Sequence, residues 1–359
     1  MKRIFFLLLF FILISCRTGY CISETITKGD TGPGQKRKNF TLFESDEILN
    51  VSLRLDLRNY LKKDFKAPLV AEMTFHVSET DSISEDVKVS NRGTFRSSYC
   101  KYPPLEISFS KAMNAYSGFG KFKRIKLYTC CESGAKYDEY VLREFLVYKL
   151  YNTLTDTSFR VRLVQLRFED SEKKRKPIIQ FAFFLEPKEI VCERIDLKLV
   201  KIARLGQSSI VPDVMDRIAI FNYLISNYDW SVAGQHNVTV FQPLKNSVSG
   251  LGIAIPHDFD GTGVVNADYA IPTAETGLKS IRERLFLGTC RSKMVFQQEL
   301  RNFLSKKQDI YGVITGFPYL NQRSKKDIID FLDQFFNQIE KQKSLDNLIG
   351  TFMENCKKT

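Results

Sequence analysis

Histidine and tryptophan are scarce in this chain: three His and a single Trp stand among 359 residues. No C-x-x-C pair and no His-spaced cysteine cluster accompanies them, so a structural zinc site lacks its ligands. No internal repeat is present, and the chain is not a stacked array. A concentrated basic patch is also missing. The net charge is +12, or +10 once Lys2 and Arg3 are removed, but it is spread along the chain. The one dense run, Glu172–Lys176 just before Pro177, reads as a solvated hairpin tip and not as a nucleic-acid surface, although a basic surface favours anionic lipid or phosphate. Long apolar runs are lacking too: the unbroken stretch Ile4–Ile14 has 11 residues, too few to span a bilayer.

That stretch suits the hydrophobic region of a signal peptide over residues 1–15, with Lys2 and Arg3 as its charged start. L-I-S-C at 13–16 resembles a bacterial lipobox, which makes Cys16 the acylated first residue of an exported envelope lipoprotein held at a membrane without a spanning helix. Gly, Pro and charge without apolar period then read as a flexible tether, taken over 16–44. Seven cysteines remain after Cys16. In an oxidising compartment they predict one or two disulfides.

The rest is long enough for two lobes. L-N-V-S-L-R-L-D-L, V-A-E-M-T-F-H-V and P-L-E-I-S-F alternate with period two, and F-K-R-I-K-L-Y-T-C (122–130) reads as a further strand. Residues 137–152 form an amphipathic helix, with Val141, Phe145 and Tyr148 on one face. Two strands joined by the basic tip follow. Beyond Glu186 the pattern turns helical: 213–225 with Asp213 as cap, I-R-E-R-L-F (281–286), 295–304 and 328–340. Strands first and helices second predict an α+β, two-lobed plan, a β-rich N-lobe over 45–187 and a helical C-lobe over 188–359.

The chemistry concentrates in 227–261. Asp229 on a loop is followed eight residues later by Asn237 at the start of a strand, and a second strand delivers Asp258 and Asp260. Carboxylates with a neutral amide suit a Mg²⁺ or Mn²⁺ site open to phosphate oxygens. Protein kinases use such parts in this order, with a spacing of about five where this chain has its longer one. Lys126 sits on a strand ahead of the helix carrying Glu144. Glu139 lies in the first turn, where acidic residues already suit the helix dipole; Glu144, flanked by apolar residues, needs a partner, which predicts a Lys126–Glu144 pair bracing phosphates. R-G-T (92–94) offers backbone N–H groups, with Arg92 or Arg96 supplying charge. F-F-L-E-P (183–187) stands where a hinge at Glu186 would meet the adenine edge of ATP or a related nucleotide.

R-G-T-F-R-S-S-Y-C-K-Y-P-P-L, Y-V-L-R-E-F-L-V-Y-K-L-Y and N-Y-D-W…H-N-V…H-D-F-D-G-T-G resemble segments of the spore coat protein H (CotH-like) family of atypical kinases. K-L-Y-T-C, E-F-L-V-Y, S-F-R-V-R-L and D-F-D-G-T-G-V-V-N are similar to those of an uncharacterised group of exported bacterial proteins, and the D…H-N block also resembles HipA-type kinases. The resemblance implies a kinase-like fold and phosphoryl transfer, with Asp229 acting on the acceptor, Asn237 and Asp258 (alternatively Asp260) on the metal, and Lys126 on phosphates. An exported location sits poorly with ATP, which is scarce outside the cytoplasm. A non-catalytic binding or scaffold lipoprotein is therefore the alternative expectation, and a purely structural envelope protein a third. The cysteines test the compartment. Alternation sends Cys130 and Cys131 to opposite faces, so only one can meet Cys100, and Cys131, one position beyond the regular strand, is the one expected; Cys290 is expected to tie the C-terminal Cys356; Cys21 has no partner in the domain.

Overall fold

The structure, a computed structural model, describes residues 39–62, 67–93, 95–200, 205–244 and 250–358. Residues 1–38, which include the expected signal segment, Cys16 and Cys21, lie outside the described residues. Seven strands come first: β1 (Leu49–Leu55), β2 (Leu69–His76), β3 (Ser82–Asn91), β4 (Leu105–Tyr116), β5 (Phe119–Thr129), β6 (Val161–Asp170) and β7 (Ile178–Leu185). They close into a barrel in the order β1-β2-β3-β4-β5-β7-β6. The two-lobed kinase-like fold with a β-rich N-lobe, expected from the order of elements and from the resemblance, is thereby corrected. Closure comes from β1, which pairs antiparallel with β2 on one edge and parallel with β6 on the other, Leu49 opposite Val164 through Leu55 opposite Asp170. Pairing both edges of β1 removes the free backbone groups that an open sheet exposes. Period-two alternation reports which residues face inward; it is silent on which strand lies alongside.

Inside the barrel, Val51, Leu53, Met73, Phe75, Val89, Leu127 and Phe184 form one core. Phe40, Leu42 and Phe43 belong to it as well, so the segment read as a tether to residue 44 joins the fold by Phe40. Two short helices, α1 (Leu57–Tyr60) and α2 (Phe95–Tyr99), lie between strands, and the long helix α3 (Ala135–Leu154) follows β5. Strands β5, β6 and β7 bury both faces. Leu127, Val164 and Phe184 turn into the barrel, while Tyr128, Leu163 and Phe183 turn outward under α3. This is why F-A-F-F-L is apolar without alternation.

The second core holds Phe145, Tyr148 and Phe221 together with the C-terminal helices. Its elements are α4 (Lys188–Arg194), α5 (Pro212–Leu224), a small sheet of β8 (Leu197–Leu199), β9 (Val238–Pro243) and β10 (Ile253–Pro256), then α6 (Lys293–Ser305), α7 (Lys307–Gly316), α8 (Gln322–Glu340) and α9 (Gln342–Asn355). The cap of α5 is Val211 with Pro212 in the first turn; Asp213 sits one residue inside and does not cap. Residues 281–286 form no helix. Arg282 forks onto Asp327 at 2.7 and 2.8 Å, and Arg284 donates to the Phe331 carbonyl at 2.7 Å, so tertiary contacts override local periodicity. No helix among the described residues is long and apolar enough to cross a membrane.

Both expected disulfides form, Cys100–Cys131 and Cys290–Cys356, with Cα atoms 4.5 and 4.9 Å apart. Cys130 turns the other way and its buried thiol donates to the Asp138 carboxylate at 3.2 Å.

Candidate functional site

The C-terminus of α5 shapes the first part of the site. Ser226 takes a left-handed conformation (φ 53°) and ends the helix. The Asn227 side chain bonds Asn222 at 2.9 Å and accepts the Asp229 amide at 3.1 Å, a turn that presents Asp229 to solvent. His236 Nε2 lies 2.7 Å from Asp229 Oδ1, and Asn237 Nδ2 donates to Asp229 Oδ2 at 3.1 Å and to its carbonyl at 2.8 Å. Asp229 and Asn237 are thus brought together. With its nitrogen engaged on Asp229, the Asn237 amide keeps its oxygen as the ligand atom for a cation.

The β9–β10 hairpin brings in the second part. Asn237 (φ 52°) and Asp258 (φ 65°) flank the ladder, both left-handed, joined by the His257 amide donating to the Asn237 carbonyl at 2.9 Å. Such conformations cost about 1–3 kcal/mol each and persist where the surroundings enforce them. One enforcing contact is the Asp258 amide donating to the Tyr148 hydroxyl at 2.8 Å. Asp258 and Asp260 then meet Glu144 of α3, with one oxygen of each within 4.8 Å of the others. Glu144 is 1% exposed, and its Oε1 has no hydrogen-bond partner. An all-oxygen donor set with an orphaned buried carboxylate oxygen fits a hard divalent cation such as Mg²⁺ or Mn²⁺.

Burial pushes the Glu144 carboxyl well above the usual range; Asp260 adds to this and Arg96 opposes it. Asp260 is raised as well, by burial and by Asp258, against the pull of Arg96. A bound cation would favour the charged forms of these carboxyls.

The predicted Lys126–Glu144 pair does not form. Glu144 faces Arg96 at 3.8 Å, Glu139 is taken by Arg143 at 2.7 Å, and Lys126 makes no ion pair with a described residue. The reason is reach: α2 lays Arg96 over Glu144, whereas Lys126 sits on β5 opposite Glu106 and Leu185. Lys126 lines a cavity of about 440 Å³, with Phe122, Ile125, Phe159, Leu185 and Lys188 among its walls. Burial, with Arg92 and Lys188 nearby, lowers its ammonium to about 8, against the opposing effect of Asp258. Arg92 stacks on the Tyr128 ring at 4.3 Å and donates to its hydroxyl at 2.9 Å. Lys126 and Lys188 stand at the cavity wall without an ion pair to a described residue, alongside Glu106 and Glu189, and a phosphate-bearing ligand could engage the two lysines.

Glu186 does not take the role expected of it. Its carboxylate binds Arg194 at 2.9 and 3.0 Å, the Tyr116 hydroxyl and the Arg160 amide, and its own amide donates to the Arg160 carbonyl. It anchors the cavity wall structurally, with neither carboxylate nor N–H left for a base. His257, also at the wall, is held neutral, its pKa lowered to about 3 by burial and by Lys126.

Sequence reasoning missed Tyr148, which fixes Asp258, and Tyr269, which hydrogen-bonds Asp260. Neither carries a motif; only the period of α3, which buries Tyr148, hinted at the first. No protein-family model and no curated protein matches the chain.

The lysine makes the site pH-dependent. An anion favours charged Lys126, so affinity for a phosphate-bearing ligand is expected to fall as pH rises through about 8. Lys126→Arg, charged throughout, is expected to flatten that limb of a binding-versus-pH profile.

Proposed function

We propose that the protein is an exported, membrane-anchored phosphotransferase that takes a Mg²⁺- or Mn²⁺-bound nucleotide and passes its phosphoryl, or another nucleotide-derived group, to an acceptor hydroxyl. The observation carrying this reading is the meeting of three carboxylates, one with an orphaned buried oxygen, with Asp258 acting electrostatically on a lysine that stands at a cavity wall without an ion pair. Asp258, Asp260 and Glu144 with the Asn237 oxygen would hold the ion, which when bound draws negative charge off the transferring group. Lys126 and Arg92 would hold phosphate oxygens, and the apolar walls the nucleoside. Asp229, exposed and backed by His236 and Asn237, would accept the proton of the attacking hydroxyl. The two disulfides support an oxidising compartment, in keeping with acylation at Cys16.

Donor consumption in the presence of Mg²⁺ tests the reaction. Asp229→Asn is expected to lower turnover about 100-fold or more, the scale of a lost general base, with nucleotide affinity unchanged. Tight nucleotide binding by the native protein without turnover would instead favour the binding-protein alternative.

A further inference from the structure

The carboxylates share their space with a side chain that the phosphotransferase reading leaves unused. Arg96, 8% exposed, enters from α2 and places Nη1 3.8 Å from Glu144 Oε2 and 3.6 Å from Asp260 Oδ2. Both separations are too long for hydrogen bonds. A guanidinium paired with a carboxylate ordinarily closes onto it as a two-pronged fork at about 2.8 Å. Arg96 instead stands back from both carboxylates while remaining between them. Its one firm contact is Nη2 donating to the Thr129 carbonyl at 2.7 Å, and neither Nη1 nor Nε has a hydrogen-bond partner. Glu144 Oε1, in the same buried space, has none either.

The anchorage is rigid. Helix α2 runs directly into Cys100, which is bridged to Cys131, two residues beyond the Thr129 carbonyl that holds Nη2. Tyr102 and Cys131 are joined by a further backbone bond at 3.1 Å, and the Thr129 hydroxyl donates to the Tyr102 and Pro103 carbonyls. Arg96 is thus a positive charge held at a fixed depth. A side chain there only to neutralise Glu144 could close the gap; this one is tied elsewhere.

Three carboxylates with oxygens within 4.8 Å of one another are compact enough to bridge a pair of divalent ions, which sit about 3.5–4 Å apart in two-metal sites. We propose that Arg96 is a specificity-determining residue, a built-in monovalent cation on the Glu144–Asp260 side of the cluster that restricts the site to one divalent ion. The inference rests on reading the cluster as a divalent-cation site. Repulsion between a fixed guanidinium and a second ion at such short range, in a poorly solvated setting, far exceeds that in water. The single ion would then be shared by the three carboxylates and the Asn237 oxygen.

Titration of the intact protein with Mn²⁺, following free ion by electron paramagnetic resonance, counts the ions directly. The native protein is expected to bind one. Arg96→Met is expected to bind a second, or to bind the first about tenfold more tightly or better, a gain that damage to the fold does not produce. Arg96→Gln, which can still donate to the Thr129 carbonyl, answers the same question if the methionine variant does not fold. Two ions on the native protein would overturn the role of Arg96 while sparing the metal site. Unchanged number and affinity in a folded variant would do the same. No Mn²⁺ on either native protein or variant would overturn both readings.

Discussion

Asp258→Asn is expected to abolish Mg²⁺-dependent nucleotide binding while leaving the fold intact. The carboxylate stands where α3 and the β9–β10 hairpin meet, within 4.8 Å of Glu144 and Asp260, and in the electrostatic field of Arg92, Arg96 and Lys126. Changing a group that only orients a metal ligand costs roughly 10–100-fold in affinity; removal of a ligand oxygen should exceed this. Stability should change little, for two reasons. Asn tolerates the left-handed backbone of residue 258 (φ 65°), and the amide bond to Tyr148 does not involve the side chain. One negative charge also leaves a cluster where burial and mutual repulsion already hold Glu144 and Asp260 above their usual range. Asp258→Ala should lose the same binding and about 1 kcal/mol of stability more, because Ala is strained at that φ. Calorimetric titration with Mg²⁺ and nucleotide measures the first effect, and urea unfolding the second. Native-like affinity in either folded variant would remove Asp258 from the site.

The second large effect lies far from the chemistry. Replacing both Cys290 and Cys356 by Ser is expected to cost about 4 kcal/mol, the chain-entropy value for closing a loop of this length, 66 residues by sequence separation. The bridge is local in space: the Cys290 amide donates to the Lys357 carbonyl at 3.1 Å, and the Lys357 amide to the Gly288 carbonyl at 2.8 Å. It ties the end of α9 to the segment that precedes α6, and Phe352 of α9 stacks on Phe286 with ring centroids 4.1 Å apart. Without the bridge the final helix can fray from that aromatic cluster. A fall in melting temperature of about 6 °C is expected, on the usual scaling with chain length. A change below about 2 °C would show that the aromatic packing alone holds α9.

Much of this was legible along the chain because it is local. Alternation marks β1, β2, β4 and β5, and a helical period marks α3. The spacing of Asp229, Asn237, Asp258 and Asp260 around one hairpin marks a polar centre before any coordinates. Alternation also limits Cys100 to one of Cys130 and Cys131, and the position of Cys131 just beyond the regular strand favours it. What was not legible depends on distant partners. Parallel pairing of β1 with β6 joins residues more than a hundred positions apart, and nothing in either strand names the other. The choice of Arg96 over Lys126 for Glu144 depends on how α2 is set by its disulfide. Segment 281–286 has the composition of a helix turn, but Arg282 and Arg284 are engaged by α8. Glu186 looked like a ligand-binding hinge; its neighbours in space, Arg194, Tyr116 and Arg160, had already used its hydrogen-bonding capacity.

In this reading the carboxylate cluster and the cavity at Lys126 form one site for a divalent ion together with a nucleotide. Thermal unfolding of the protein with Mg²⁺ alone, and with Mg²⁺ plus ATP, tests it most directly. Ligand that binds only the folded state raises stability by about 2.7 kcal/mol at a hundredfold excess over Kd. A clear rise is expected with Mg²⁺ and nucleotide together, lost in Asp258→Asn. Identical melting curves with and without nucleotide, across ATP, GTP, CTP and UTP at millimolar concentration, would contradict it.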